Sequence, residues 1–536
     1  MLRGIAMEDA TGRMQVEAGM ERAGKWDRLR DGCDVLVIGG GATGVGIAVD
    51  AATRGFRTVL AEAGDFAQAT SSRATKLVHG GVRYLANGQF HLVYEALRER
   101  RVMLHNAPHL VHRLGFVTPA YRWMDLPFYG TGLKVYDVLS GRSSLGATRV
   151  LSARKTADAV PGINTCGLKG SVQYFDGQFD DARFALALAR TAEDHGAVVL
   201  NYARCTRIAK SHGRVCGAIL ADVETGCEVE VSARTVINAG GIFLDAVRRL
   251  DDAECAPLLK ASRGTHIVVD GDVLGGCSAL MIPKTRDGRL IFAIPWMGKC
   301  VIGTTDIPAE TVAMEPGHSA EEIAFLMETI SPYLAKPITE ADILSVFSGL
   351  RPLVTGQAAS TAKLSREHHI AASTSGLITI AGGKWTTYRR MAADTLDFAA
   401  RMRLIEQRRC RTEQLTLHGA PNSNSDAADM LARYGTDADA IRRLASENPV
   451  WAEKLHPRLP FIAAEVIFAV REEMARTVED VLSRRMRALL TDSRAAVEAS
   501  GKVAGLLAEE LEHDASWAQR QVQTFTKLAM QFYAQR

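Results

Sequence analysis

The sequence predicts an α/β protein with a dinucleotide-binding unit near its start, a β-rich middle region and a helical end. Three observations carry this prediction. An apolar run leads into a glycine-rich turn near residue 40, several short β-type runs occur between residues 197 and 305, and residues 400–536 carry apolar residues at helical spacing. A chain of 536 residues is too long for one compact core, so we expect two or three domains.

The dinucleotide-binding unit is predicted from a strand, a glycine turn, a helix and a second strand in succession. An apolar run leads into Gly39-x-Gly41-x-x-Gly44, a helix-like segment follows, and a second β-type run ends at Glu62. Gly39 permits the tight turn, Gly41 leaves room for a pyrophosphate, and Gly44 lets helix and strand pack closely. Amide groups at the helix start suit phosphate, and Glu62 suits a ribose diol. The motif occurs once with this context, which predicts one dinucleotide as a permanent redox partner and does not distinguish NAD from FAD.

Composition excludes several classes of function. A net charge of +3 is too small to indicate nucleic-acid binding. The nine cysteines form no Cys-x-x-Cys pair and no cluster with histidine at metal-ligand spacing, so we expect no metal site, no disulfide framework and a reducing compartment. The sequence contains no run of about 18 apolar residues, so we predict no transmembrane helix. Residues 1–32 lack the apolar core of a signal peptide and are predicted to be a helical or partly disordered lead-in.

The character of the sequence changes twice after the first motif. Residues 64–84 are rich in hydroxyl groups and punctuated by glycine, a composition typical of a segment that wraps a polar ligand. A helix is predicted over about 90–104. The run 235–238 is predicted to be a buried strand that ends at Ala239-Gly-Gly, where its backbone could approach a cofactor.

The C-terminal region is predicted to be a separate helical cap. Its apolar spacing indicates four helices, over residues 461–475, 477–490, 493–512 and 516–534. The second of these carries a group of three arginines, Arg484, Arg485 and Arg487. Charged residues on a helix usually face solvent, so we expect this group on a solvated face.

Four short strings place a basic residue beside glycine or after a β-type run. They are His79-Gly-Gly-Val-Arg83-Tyr84, Ser348-Gly-Leu-Arg351-Pro, Ser365-Arg366-Glu-His and Ala381-Gly-Gly-Lys384-Trp-Thr-Thr-Tyr388. Arginine can pair bidentately with phosphate, and cations in turns that follow strands suit a pocket for an anion. Taken singly, each is more often a surface charge, and their joint role depends on family resemblance.

The chain resembles the FAD-dependent glycerol-3-phosphate dehydrogenase family, which includes the related glycerol-3-phosphate oxidases. The matching strings occur in family order, and the match covers nearly all of the chain after residue 32. They are Val37-Ile-Gly-Gly-Gly-Ala-Thr-Gly-Val-Gly-Ile-Ala, Asp50-Ala-Ala-Thr-Arg-Gly, Ala69-Thr-Ser-Ser-Arg-Ala-Thr-Lys-Leu-Val-His-Gly-Gly-Val-Arg-Tyr-Leu, Thr265-His-Ile-Val-Val, Ile294-Pro-Trp, Ile302-Gly-Thr-Thr-Asp, Ser348-Gly-Leu-Arg-Pro-Leu and Gly382-Gly-Lys-Trp-Thr-Thr-Tyr. The chain departs from the family at Asn238-Ala-Gly-Gly-Ile-Phe, where the family often has Ala-Thr-Gly-Pro-Trp.

The resemblance implies a particular domain arrangement. After the lead-in 1–32, residues 33–400 would form a Rossmann-like FAD-binding domain interleaved with an antiparallel-sheet substrate domain. Residues 401–536 would form the helical C-terminal domain.

The resemblance also implies site residues. The residues expected to bind FAD are Gly39, Gly41, Gly44, Glu62, Thr70, Ser71, Ser72, Lys76, Gly383, Thr386 and Thr387. The residues expected to bind substrate are Arg83, Tyr84, His266, Arg351, Arg366 and Lys384. The catalytic set would be His79, Arg83, Arg351 and Lys384, with His79 as the preferred base because an imidazole titrates near neutral pH; a structural histidine is the alternative.

The activity that the resemblance implies is oxidation of sn-glycerol 3-phosphate to dihydroxyacetone phosphate by hydride transfer to flavin, with electrons passed to a quinone. A soluble oxidase that reduces O₂ to hydrogen peroxide is the alternative within the family. A flavin-binding sensor without turnover is the alternative outside enzymes.

The expected location is the cytoplasmic side of the cell membrane, with peripheral attachment to its inner face. Residues 121–139 combine Trp123, Phe128 and Tyr129 with two basic residues, a composition suited to a bilayer interface. The alternative is a covered core segment. The resemblance implies glycerol 3-phosphate, a quinone and the membrane surface as partners. Nucleic acid is not expected, and a homodimer is possible.

Overall fold

The structure, a computed structural model, describes residues 22–86, 88–283, 285, 289–354, 368–421 and 429–534. Two sheets and a set of helices form the part of the chain before about residue 400, and a helical domain follows. This arrangement confirms the predicted α/β class.

The first sheet has eight strands and contains the dinucleotide motif. Its strands are β1 (Cys33–Ile38), β2 (Thr58–Ala61), β7 (Val198–Leu200), β8 (Ala203–Ser211), β9 (Arg214–Asp222), β10 (Glu228–Asn238), β17 (His368–Ala372) and β18 (Ile378–Gly382). Strands β18, β10, β1, β2 and β7 are parallel neighbours in that spatial order, β17 lies antiparallel at one edge, and β8 and β9 extend from β10 as antiparallel strands. The predicted strand 235–238 is the C-terminal end of β10. Apolar side chains cover both faces of β1, which explains its continuous apolar run.

The second sheet has ten strands and is antiparallel except where β4 and β12 meet. Its strands are β3 (Leu77–Val78), β4 (Val111–Ala120), β5 (Arg149–Ser152), β6 (Gly170–Phe179), β11 (Leu259–Asp270), β12 (Ala279–Ile282), β13 (Ile291–Trp296), β14 (Lys299–Gly303), β15 (Ile307–Ala309) and β16 (Ser345–Val354). The spatial order is β15, β11, β14, β13, β12, β4, β6, β3, with β16 paired to β11 and β5 to β6. Because the chain alternates between the two sheets, the predicted interleaving is confirmed.

Ten helices precede the C-terminal domain among the described residues. They are α1 (Arg22–Arg28), α2 (Ala42–Thr53), α3 (Val82–Ala86), α4 (Phe90–Asn106), α5 (Asp125–Ser140), α6 (Ala153–Ala159), α7 (Asp181–Asp194), α8 (Leu244–Asp251), α9 (Ala320–Ile330) and α10 (Tyr388–Arg401). Helices α2, α7 and α10 cover one face of the first sheet and share its main core. The described part of the lead-in is helical and is tied to β9 by an Arg22–Asp222 ion pair of 2.9 Å. None of the described helices is long and apolar enough to cross a membrane.

The helices of the C-terminal domain share an apolar core with one face of the second sheet, which contributes Val268, Trp296, Val301 and Phe347. Its helices are α11 (Ala438–Glu447), α12 (Ala463–Arg471), α13 (Ala488–Thr491), α14 (Ser493–Glu510) and α15 (Ala515–Ala529). Three of the predicted helices are present as α12, α14 and α15. The predicted helix 477–490 is instead a π-helical turn over Asp480–Arg485 followed by the short α13.

The expectation that the three arginines of this region lie on a solvated face is wrong. Arg484, Arg485 and Arg487 are among the largest fully buried side chains of the protein. The π-helical turn changes the angular spacing of residues 480–485, and Arg487 takes the left-handed conformation (φ +70°), so all three point inward rather than along one outer face.

Candidate active site

The turn between β1 and α2 forms one wall of a deep cleft. Gly39 has a φ of +109°, and a Cβ on Gly44 would overlap the carbonyl oxygen of Gly39. A Cβ on Gly41 would meet only the Ser71 hydroxyl, at 3.0 Å, so this position opens to the cleft. The amide of Ala42, at the start of α2, donates to the same hydroxyl at 2.9 Å. The turn therefore combines close helix–strand packing with an open place for a phosphate group.

Glu62 lies just after β2, beside this turn. Its carboxylate accepts hydrogen bonds from the amides of Gly40 at 2.6 Å and Gly64 at 2.8 Å. Burial raises the pKa of Glu62, and the two amide donors oppose that rise. The predicted ribose acceptor thus lies at the edge of the glycine turn and remains a prediction.

The segment 70–72 joins the glycine turn to the second sheet. The Thr70 hydroxyl donates to the carbonyl of Leu350 at 2.6 Å, and the Trp385 indole donates to the carbonyl of Ser71 at 2.8 Å. Thr70 and Ser71 line the cleft, whereas Ser72 is buried behind it. Two of the three predicted hydroxyl residues are therefore in reach of a ligand in the cleft.

Lys76 does not line the cleft, although we expected it near the flavin. Its ammonium is fully buried and donates to Asp181 at 2.7 Å and to the carbonyl of Ser72 at 2.9 Å. Burial and the neighbouring Arg487 lower its pKa to about 7, and Asp181 opposes that change. Lys76 thus holds the backbone of Ser72 from behind the cleft, because the carboxylate of Asp181 draws its side chain away from the cleft.

Arg351 lies on the opposite wall of the cleft, on β16. Its guanidinium is oriented by Asp306 at 3.3 Å, by the Thr305 carbonyl at 3.1 Å and by the Thr304 hydroxyl at 3.3 Å. Ser262, directly opposite Arg351 in the β11–β16 register, also bonds the Asp306 carboxylate. The arginine fork is therefore oriented by residues 304–306, between β14 and β15, and Ser262 of β11 holds Asp306 in place.

Lys384 reaches the cleft from the loop after β18. Its ammonium lies 3.6 Å from the centre of the Tyr84 ring, a cation–π contact between two predicted substrate residues. Gly383 and Thr386 line the same cleft. The Thr387 hydroxyl donates instead to the Lys384 carbonyl at 3.3 Å and helps to fix the loop.

Two histidines line the cleft between these walls. His79 lies on the loop between β3 and α3 and is partly exposed. His266 is buried on β11, where its ring stacks on Phe347 at 4.7 Å and its Nε2 shares a hydrogen bond of 3.0 Å with the Thr75 hydroxyl. Burial, helped by nearby cations, lowers the pKa of His266 well below its usual value, so His266 is neutral near pH 7. The role of His79 as the base remains a prediction.

For two predicted substrate residues, Arg83 and Arg366, no side-chain contact is described. Arg83 lies on α3, one residue before Tyr84. Arg366 lies outside the described residues. The structure thus brings Tyr84, His266, Arg351 and Lys384 of the predicted substrate set to one cleft.

Three further charged residues line the cleft that the sequence did not single out. They are Arg73, Arg289 and Asp306. Arg73 and Asp306 lie within strings that carry the family resemblance, and those strings could have identified them as site residues. Arg289 lies in no such motif. The fork of Arg73 pairs with Glu315, and Asp306 orients Arg351.

The residues of this cleft fit an extended dinucleotide. Backbone from three separate turns lines it, at Gly41, at Ala239 and Gly241, and at Gly382. The turn at Ala239 follows the buried end of β10, as its sequence predicted. At these turns the wall is backbone, which leaves room for a long planar cofactor, and the departure at residues 238–243 does not close the cleft.

Comparisons with known proteins agree with this geometry. Residues 34–389 match the family described as FAD dependent oxidoreductase, and residues 377–518 match the C-terminal domain of alpha-glycerophosphate oxidase. Mitochondrial glycerol-3-phosphate dehydrogenase of Homo sapiens is 40% identical over 529 residues, which cover 92% of this chain and 72% of that protein. The mitochondrial glycerol-3-phosphate dehydrogenase of Arabidopsis thaliana is 38% identical, with 92% and 85% covered.

A solved structure extends the likeness to three dimensions. Glycerol-3-phosphate dehydrogenase from Bacillus halodurans, complexed with FAD, superimposes with a TM-score of 0.77 at 29% identity and covers 95% of this chain and 98% of that chain. The family match spans most of the chain, and the curated relatives are covered over more than two thirds of their length. The chain therefore belongs to the FAD-dependent glycerol-3-phosphate dehydrogenase family, with FAD as its cofactor.

Proposed function

We propose that the protein oxidises sn-glycerol 3-phosphate to dihydroxyacetone phosphate and passes the electrons to a membrane quinone. The observation that carries the proposal is a single cleft in which the glycine turn at Gly41 faces two cations, Arg351 and Lys384, and two histidines. The names of the curated relatives support the same substrate.

Arg351 and Lys384 are proposed to bind the substrate phosphate. Asp306 fixes the plane of the Arg351 fork, which suits bidentate pairing with phosphate, and the Tyr84 ring holds the Lys384 ammonium in place. Arg83 and Arg366 are proposed to complete the cationic set. Binding energy from the phosphate, which is remote from the reacting carbon, would orient the C2–H bond of the substrate.

His79 is proposed to take the proton of the C2 hydroxyl. Bound FAD supplies the hydride acceptor for the C2 hydrogen, and the two losses together convert the alcohol to a ketone. His266, held neutral by burial, would hydrogen-bond substrate without titrating. The basic cleft would also favour the anionic form of the reduced cofactor.

Anaerobic mixing of the purified yellow protein with glycerol 3-phosphate tests the substrate. We expect the flavin absorbance to bleach with glycerol 3-phosphate and to persist with glycerol, which lacks the phosphate. A flavin that does not bleach with either compound would contradict the proposal and favour a binding protein without turnover.

Helix α5 is proposed to attach the protein to the membrane surface. Large apolar side chains on and just before this helix are exposed, with Phe128 75% and Val138 78% accessible. Trp123 and Met124 are 69% and 73% exposed. The opposite face, with Leu133 and Tyr136, is buried. The alternative of a covered segment is therefore disfavoured, and an exposed apolar face with basic neighbours suits a bilayer interface.

The same helix lies beside the loop between β3 and α3, which carries His79. The Tyr136 hydroxyl accepts a hydrogen bond from the Gly80 amide at 2.8 Å and donates to Asp176 at 2.7 Å. Gly80 follows His79 directly. A quinone at the membrane surface near α5 would thus lie on the side of the protein that carries the active site.

Vesicle flotation and acceptor assays test the membrane proposal. We expect wild-type protein to float with anionic vesicles and to reduce a soluble quinone analogue faster than O₂. Phe128→Glu should abolish flotation, whereas Val450→Glu, at an exposed valine of the C-terminal domain, should not. Rapid peroxide formation in air without flotation would overturn the proposal in favour of the oxidase.

A further inference from the structure

We infer that the C-terminal domain is part of the FAD site, because its buried arginines Arg484 and Arg485 position the loop that carries Glu62. The wrapping segment (residues 62–76) leaves β2, passes the glycine turn and returns to β3. The inference rests on FAD binding at this turn and holds for any substrate of the cleft.

Asp65 is the anchor point of the first half of the wrapping segment. Its carboxylate is fully buried and accepts hydrogen bonds from Arg485 Nη2 at 2.9 Å, from Arg485 Nη1 and from Arg484 Nε. Asn201 adds a donor at 3.2 Å. The two arginines lie 419 and 420 residues from Asp65 in the sequence. The carboxylate of one domain is thus enclosed by cations of the other.

Asp65 lies within a short loop that contacts the glycine turn directly. The amide of Ala67 donates to the carbonyl of Gly40 at 3.1 Å, and Glu62 accepts from the Gly40 amide at 2.6 Å. Any displacement of Asp65 would therefore move the ribose acceptor and the turn that holds the pyrophosphate.

Arg487 provides a second anchor at the other end of the segment. It donates to the carbonyl of Ser72 at 2.9 Å and to Asp181 at 2.7 Å, and Lys76 contacts the same two groups. Ser72 follows Ser71, whose hydroxyl receives the first amide of α2. The arginine group thus holds both ends of the segment that lines the cofactor cleft.

Burying these charged side chains carries a desolvation cost that an apolar core of the same volume would not have. Removing one partner of a buried ion pair leaves an unpaired charge, and a neutral apolar core of the same volume is often as stable. The π-helical turn and the left-handed Arg487 are local irregularities, and these side chains point into the domain boundary from them. We therefore explain these paired buried charges by their effect on the position of the wrapping segment rather than by added stability.

FAD titration of deflavinated protein tests the inference, with Arg485→Met as the first variant. Loss of the pair to Asp65 should weaken FAD binding by roughly 10- to 100-fold. The matched control is Arg183→Met, because Arg183 is 5% exposed at the same domain boundary and pairs with the carboxylate of Glu473 at 2.6 Å, whereas Arg485 contacts only the carbonyl of Glu473. The control should lower the melting temperature and leave the FAD dissociation constant within about threefold of wild type.

A double variant separates positioning from the cost of an unpaired charge. Asp65→Asn/Arg485→Met removes both charges, so it should recover thermal stability while FAD binding stays weak. Recovery of wild-type FAD affinity in the double variant, or equal weakening by Arg183→Met, would overturn the inference. Since FAD affinity is measured without substrate, the result is independent of the proposed reaction.

Discussion

The two walls of the cleft are built in opposite ways. The dinucleotide wall is mostly backbone, with the glycine turn after β1 as its main part, whereas the opposite wall consists of side chains from four distant segments, among them His79, His266, Arg351 and Lys384. The first wall depends on what is absent, namely side chains that would fill the pyrophosphate space. The second depends on charges whose position only the folded sheets define.

Substitution at Gly41 should have the largest effect and should act on the backbone wall alone. Since the position opens to the cleft, Gly41→Val should fold but come out colourless, because its side chain occupies the space of the pyrophosphate. Absorbance at the flavin band and thermal unfolding are the measurements. Gly44→Val is the contrasting control: its side chain overlaps Gly39, so we expect loss of folded protein. A yellow, active Gly41→Val would refute the pyrophosphate assignment.

The two histidines should respond differently to substitution and to pH. His79→Gln should lower kcat/KM by roughly 100- to 10,000-fold and remove the acid limb of its pH profile, as expected of a general base. The pKa of His266 in the folded protein is lowered. When the pH falls below the pKa of an unfolded histidine, only the unfolded chain gains a proton there, so folding stability decreases. In the folded enzyme His266 stays neutral over the working pH range.

His266→Gln should therefore reduce kcat/KM without moving the acid limb. Steady-state rates between pH 5.5 and about 9 are the measurement. An acid limb that persists in His79→Gln and disappears in His266→Gln would exchange the two roles.

Arg351→Ala should damage the side-chain wall and leave the backbone wall intact. The protein should keep FAD, while kcat/KM for glycerol 3-phosphate should fall by roughly 30- to 1000-fold, about 2–4 kcal/mol of transition-state binding. Arg390→Ala, at a half-exposed arginine on α10 that pairs with Asp394, serves as the control. Wild-type kcat/KM in Arg351→Ala would reduce the residue to a structural charge and remove the anion site at its best-defined position.

The sequence predicted the backbone wall from physical chemistry, because glycine spacing and strand periodicity are local properties. The side-chain wall required the resemblance, since nothing local brings β11, β16 and the loop after β18 together. Long-range contacts also decide what the sequence alone could not. The Lys76 ammonium points away from the cleft because Asp181 and the Ser72 carbonyl bind it. The expectation for arginines 484, 485 and 487 was wrong because a π-helical turn replaces the regular helix that their spacing indicated.

The smallest effect that we predict concerns the link between the two walls. Thr70 lies on the dinucleotide side, and its hydroxyl donates at 2.6 Å to the carbonyl of Leu350, next to Arg351. Thr70→Val removes this donor and leaves the carbonyl without it, at a cost of about 1 kcal/mol, so kcat/KM should fall by roughly 3- to 10-fold. Thr70→Ser keeps the hydroxyl and should retain most of the wild-type rate. If Thr70→Val matched wild type in kcat/KM and in FAD affinity, the two walls would be positioned independently of each other, and the contact would only be one of many across the cleft.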